Sequence, residues 1–158
     1  MPSIFLTKKT YSNKFLAYKN AKKVIKLTKC DAIKLEGGKN VSSIIKYLVK
    51  KGVPVLAHIG LLPQTTTKYK VKGKSPDQKK NIYNDAIEIS KSGAFAMIIE
   101  CVVESLAKKI TQDVKIPTIG IGASKYCDGQ ILVFDDLIGL NPINVRFVNC
   151  LLYTSDAA

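Results

Sequence analysis

Four residues near the ends of apolar runs can do acid–base or anion-binding work. Glu36 lies near the end of CDAIKLEGG (30–38), His58 near the end of VPVLAHIG (53–60), and Glu100 ends FAMIIE (95–100), while Lys34 precedes Glu36 by two residues. An unpaired ionised carboxylate is costly to take out of water, so an acid ending a buried run needs a reason. The plain reason is structural. A strand-end Glu can cap the next helix or pair with a lysine, Lys34 and Glu36 share a strand face and can be an ion pair, and a single histidine is more often a hydrogen-bonded imidazole than a catalyst. The alternative is that all four open onto one pocket, where a carboxylate serves as a proton acceptor. One pocket explains them together, and convergence favours it.

The elements that must position these groups alternate regularly. Ser12 is expected to cap a helix running to about Lys29, followed by the strand within CDAIKLEGG and a Gly-Gly turn. VSSIIKYLVKKG (41–52) puts Val41, Ile44, Ile45 and Leu48 on one helical face and stops at Gly52. After the strand VPVLAHIG comes a long polar loop, and then a helix with Ser75 as cap, Pro76 at its first position and Ile82, Ala86 and Ile89 as its stripe. The strand FAMIIE, a helix near Val103 to Gln112, and the strands IPTIGIG (116–122) and GQILVF (129–134) complete the pattern. Nearly all-apolar strands alternating with helices mean a parallel sheet covered by helices. In an α/β barrel the C-terminal strand ends carry the active site, which gives Glu100 a place to point. GIGAS (120–124) is a weak phosphate signal, because it lacks the third glycine of a dinucleotide fingerprint.

Composition narrows the class. With 158 residues and 46% hydrophobic content, one domain with a real core is expected, and apolar runs are too short for a membrane helix or a secretory leader. Cys30, Cys101, Cys127 and Cys150 form no CxxC, and with a single histidine a zinc site is not expected; reduced thiols and a cytoplasmic location follow. The formal net charge of +13 does not point to nucleic acid, since all but one of the 25 basic residues are lysine and Arg146 stands alone.

KLEGG (34–38), GVPVLAHIGLLPQ (52–64), YKVKGK (69–74), GAFAMIIECV (93–102) and IPTIGIGASKYCDGQILVFDDLIGL (116–140) together resemble ketopantoate hydroxymethyltransferase, in that family's order and with similar spacing. The resemblance implies a (β/α)8 TIM barrel. It implies a magnesium-dependent enzyme of pantothenate synthesis that moves a hydroxymethyl unit from 5,10-methylenetetrahydrofolate to 3-methyl-2-oxobutanoate, giving 2-dehydropantoate. By the same resemblance Glu100 is the general base, Glu36 the metal-associated acid for Mg²⁺, Lys34 the residue that binds the oxo acid, and His58 a hydrogen-bond donor in the pocket. Small-molecule substrates, no nucleic acid, no membrane and a homo-oligomeric full-length enzyme are the expected partners.

The departures shape the rest of the expectation. The chain supplies the last five strands with their helices, an incomplete TIM-barrel domain over residues 1–148, and no residue matches the family's two metal-binding aspartates. The loop from Gln64 to Tyr69 is short, Ser124 stands where a glycine is common, and the tail 149–158 falls outside the pattern, as a cloning or sequencing scar would. A truncated chain without activity of its own is the expectation. Another metal-dependent 2-oxo-acid barrel, of the phosphoenolpyruvate mutase and isocitrate lyase kind, and a non-enzymatic basic fragment are the alternatives.

Overall fold

A computed structural model describes residues 3–66, 70–141 and 147–148. The apolar runs form six strands, β1 (Ser3–Phe5), β2 (Ala32–Glu36), β3 (Val55–Gly60), β4 (Ala96–Glu100), β5 (Thr118–Ile121) and β6 (Gly129–Gln130). All pair in parallel, and their order across the sheet is their order in the chain. The helices α1 (Lys14–Thr28), α2 (Ser42–Lys50), α3 (Pro76–Lys91) and α4 (Glu104–Asp113) link successive strands from β1 to β5, and a short α5 (Phe134–Leu137) follows β6.

Sequential order decides where the helices go. Crossovers between parallel strands are right-handed, so a sheet that never reverses its order receives every helix on the same side. That is barrel winding, whereas a doubly wound sheet reverses and is covered on both sides. The core follows this rule. Ile33 and Leu35 of β2, Val55, Ala57 and Ile59 of β3, and Met97 and Ile99 of β4 form one cluster with Ala17 and Ala21 of α1, Ile45 and Leu48 of α2, Ala86 and Ile89 of α3, and Leu106 and Ile110 of α4. Each large aliphatic side chain buried there contributes roughly 1.5–3 kcal/mol. The alternate residues face the other way, where Leu56, Ala96, Ile98 and Ile121 make a much smaller cluster. The molecule is an α/β arc of a TIM barrel, with helices outside and a narrow inner face.

Three local expectations are corrected. Asn13, not Ser12, caps α1, its side chain accepting from the Phe15 and Leu16 N–H groups. The sheet has a sixth strand, β1; three residues are too few to display a strand's period. GQILVF contributes only Gly129–Gln130 to the sheet, and Ile131, Leu132, Val133 and Phe134 are 43–66% exposed. An apolar run becomes a strand by pairing and burial, and at this edge it has neither. Ser75 and Pro76 start α3 as expected, the Ser75 hydroxyl accepting from Gln78 N–H. The tail 149–158 lies outside the described residues, as do 67–69 of the long loop.

Two glycines with positive φ separate conformation from crowding. Gly60 (φ +91°) ends β3 where a Cβ would overlap the Glu100 carbonyl oxygen and the Val102 side chain, whereas Gly52 (φ +77°) has open space around it. Gly52→Ala should destabilise by about 1–2 kcal/mol, the strain of a left-handed backbone. Gly60→Ala should cost clearly more, since backbone must also move. Equal losses in urea unfolding would show that crowding at Gly60 contributes nothing.

Candidate active site

The inner face gathers the four chemical groups. Period two places Lys34 and Glu36 on the same side of β2, and the register sets Glu36 beside His58 of β3. Glu100 stands opposite Gly60, two residues beyond His58. The chain then turns sharply at Cys101, a non-glycine residue at φ +49°. Cys101 is held there by its N–H on the Ile121 carbonyl (2.9 Å) and by its carbonyl on Lys72 N–H (2.7 Å). Strain of this kind persists where the surroundings over-determine it, and here it ends β4 directly after Glu100.

The imidazole of His58 lies between the carboxylates. It is fully buried, with Nδ1 3.6 Å from Glu36 Oε1 and Nε2 3.1 Å from Glu100 Oε2. Neither approach has hydrogen-bond alignment: both ring nitrogens and Glu36 Oε1 lack a hydrogen-bond partner among the described residues. The contacts are therefore electrostatic proximity, with lone pairs still to be engaged. Buried polar atoms left this way are uncommon and mark sites of function or strain. Glu36 is 1% exposed and Glu100 8%.

Lys34 completes the cluster from the half-buried end of the face. Burial pulls its ammonium below the usual lysine range, and the charges of Glu36 and Glu100 act in the opposite direction. Two residues not singled out from sequence also bear on the site. The Tyr11 hydroxyl, buried and pushed up to about 12 by burial and then by the Glu36 charge, donates to the Glu36 carbonyl at 3.1 Å. Gln64 N–H donates to Glu36 Oε2 at 3.2 Å. Gln64 belongs to the LLPQ run and carried that signal, while nothing in the spacing of Tyr11 announces its role.

The donor set for magnesium is incomplete here. Mg²⁺ asks for near-octahedral oxygen ligation. Glu36 Oε1 is a buried oxygen without a hydrogen bond, but the two carboxylates address different nitrogens of one ring, and no metal-holding group of three His, Cys, Asp or Glu residues occurs among the described residues. The larger surface cavity lies elsewhere, lined by Tyr18, Lys22, Lys26, Lys51 and Val53 among others. It has no carboxylate, imidazole or thiol, so it offers no base for neutral-pH chemistry.

The family description ketopantoate hydroxymethyltransferase matches residues 4–157. A 3-methyl-2-oxobutanoate hydroxymethyltransferase of Pelagibacter ubique is 58% identical over 139 residues, which is 88% of this chain and 54% of that protein. A second such protein from Zymomonas mobilis is 46% identical over 143 residues, and one from Anaplasma marginale 46% over 142. The chain spans about half the length of these curated relatives. No described helix is long and apolar enough to cross a membrane.

The thiol beside Glu100 reports on the charge of that carboxylate. Burial, and then the Glu100 charge, push Cys101 up to about 11. Alkylation of Cys101 by iodoacetamide, followed by peptide mass spectrometry, should therefore be slow at pH 8 and rise towards pH 11. Because a negative neighbour disfavours a thiolate, Glu100→Gln should move that profile to lower pH, while burial keeps it above an ordinary thiol. An unchanged profile would mean that Glu100 carries no charge there.

Proposed function

Because the chain belongs to the ketopantoate hydroxymethyltransferase family, we propose that it carries the proton-transfer half of a hydroxymethyl transfer from 5,10-methylenetetrahydrofolate to 3-methyl-2-oxobutanoate. The observation that supports this reading is the line of Glu36, His58 and Glu100 at the C-terminal ends of adjacent strands, with Lys34 on the same face. The reaction needs a base for the C–H next to the keto group. It also needs a cation for the acid's carboxylate, and a dry environment that favours both.

In this reading Glu100 is the base. Its carboxylate takes the proton and the electron pair moves into an enolate; water adds to the one-carbon unit as its two C–N bonds break, releasing tetrahydrofolate and formaldehyde, and the enolate carbon adds to the formaldehyde carbonyl, whose oxygen takes up the proton and becomes the hydroxyl. Its burial excludes bulk water, which otherwise protonates enolates and weakens every charge interaction. Lys34, as its ammonium, pairs with the substrate carboxylate. A lysine ammonium is a point charge on a flexible stem, suited to holding an anion without dictating its angle. His58, close to one oxygen of each acid, positions Glu100 and counters its charge when the ring is protonated. Glu36 would contribute one oxygen to Mg²⁺. Since the described residues do not complete that site, no step is assigned to the metal.

The test uses a polypeptide extended to the relatives' full length with the remaining segments of the Pelagibacter protein. There, Glu100→Gln keeps shape and removes the base, so kcat should fall roughly 10²- to 10⁴-fold with the oxo-acid KM within a few-fold of the parent. Near-normal turnover would sink the assignment. The 158-residue polypeptide alone should show no transfer with both substrates and millimolar-scale Mg²⁺, since the sheet ends in open edges at β1 and β6 and Glu36 is the sole matched ligand. Clear turnover by it would place the missing ligands within this chain.

A further inference from the structure

Gln64 joins three consecutive strand ends at the mouth, and the chemistry above does not use its side chain. It sits in a turn closed by Thr65 N–H on the Leu62 carbonyl at 3.0 Å, with Pro63 and Gln64 at the two central positions. Its backbone N–H donates to Glu36 Oε2 at 3.2 Å. The carboxamide makes two further bonds: Oε1 accepts Lys8 N–H at 2.8 Å, and Nε2 donates to the Leu6 carbonyl at 3.1 Å. Leu6 follows β1, and its N–H still donates to the Lys34 carbonyl of β2 at 3.2 Å, while Lys8 opens a short 3-10 turn over Lys8–Thr10. In a parallel ladder the next peptide of β2 would serve Leu6 C=O and Lys8 N–H. Here the Glu36 carbonyl accepts the Tyr11 hydroxyl instead, while Gly37 N–H stays in the β2–β3 ladder, bonded to the His58 carbonyl at 3.1 Å. The Gln64 carboxamide fills the vacated ladder positions as a strand one peptide long.

We propose that Gln64 is a positioning residue of the mouth: its carboxamide, strapped to Leu6 and Lys8, fixes its own backbone N–H, and that N–H holds the Glu36 carboxylate beside His58. The functional half of the proposal rests on the reading of Glu36 as a working group. The side chain has to be glutamine. Asparagine is shorter by one methylene, roughly 1.3 Å of reach, and cannot span to both backbone groups. Glutamate keeps the acceptor for Lys8 N–H but loses the donor to Leu6 and adds a second negative charge next to Glu36.

Two readouts test it. Amide hydrogen exchange is measured on the 158-residue polypeptide and on its length-extended form. Gln64→Ala and Gln64→Asn should raise exchange at both Lys8 and residue 64 by about tenfold or more, while Gln64→Glu should preserve Lys8 and release residue 64. In unfolding, the losses from Gln64→Ala and Glu36→Ala should be less than additive in the double variant, because both break one connection. Additive losses, or unchanged exchange at residue 64 in Gln64→Ala, overturn the positioning role whatever Glu36 does. In the extended form Gln64→Ala should lower kcat about tenfold with the oxo-acid KM within twofold. A merely structural loss would instead lower the active fraction and leave kcat per folded molecule intact. If Glu36→Gln itself leaves turnover unchanged, the reading of Glu36 fails, and the exchange and additivity results still decide the strap.

Discussion

An imidazole with no exposed surface, set between two buried carboxylates, is the contact on which the rest of the molecule depends. Two carboxylates alone on a narrow inner face would repel and would lose their hydration, a combination that ordinarily forces one of them to take up a proton. His58 stands between the two acids, 3.6 Å from one and 3.1 Å from the other, and Lys34 lies on the strand that bears Glu36. The outer face supplies the stability that makes such an inner face tolerable, since its many aliphatic side chains are packed against four helices and carry no charge.

The sequence made the architecture legible because strand and helix patterns are local. Alternation along β2 is enough to put Lys34 and Glu36 on one side, and the caps and stops of α3 can be read from Ser75, Pro76 and Gly93. The contact between His58 and its two acids is not local. It depends on the register of three strands, which is not written in the spacing of the residues. The same limit explains the smaller errors. Ser12 and Asn13 are both good caps, and the backbone selected the one whose side chain reaches two N–H groups. GQILVF has a strand's composition, but strand formation is a property of the partner as well as the segment.

Tyr11 and Gln64 show another kind of illegibility. Each acts on Glu36 through a backbone group, Tyr11 on its carbonyl and Gln64 from its own N–H, so the residue type at the contact is only half the story. A motif such as HIGLLPQ contains the right letters without saying that the proline turn aims one amide at an acid 28 residues earlier. Sequence reasoning therefore finds groups that do chemistry sooner than it finds groups that hold them.

The polar groups of the inner face are concentrated in one part of the arc. Lys34, Glu36, His58 and Glu100 all come from β2, β3 and β4, the middle of the sheet, where each strand has a neighbour on both sides. Proton abstraction needs that rigidity, because a base displaced by about 1 Å loses much of its advantage. The edges are different in kind. β6 is two residues long and leads into exposed Ile131, Leu132 and Val133. In the reading of Glu36 as a metal ligand, further oxygens would come from other strand ends, whereas placing Glu100 at the centre of the arc makes its own geometry depend on β2–β4 alone.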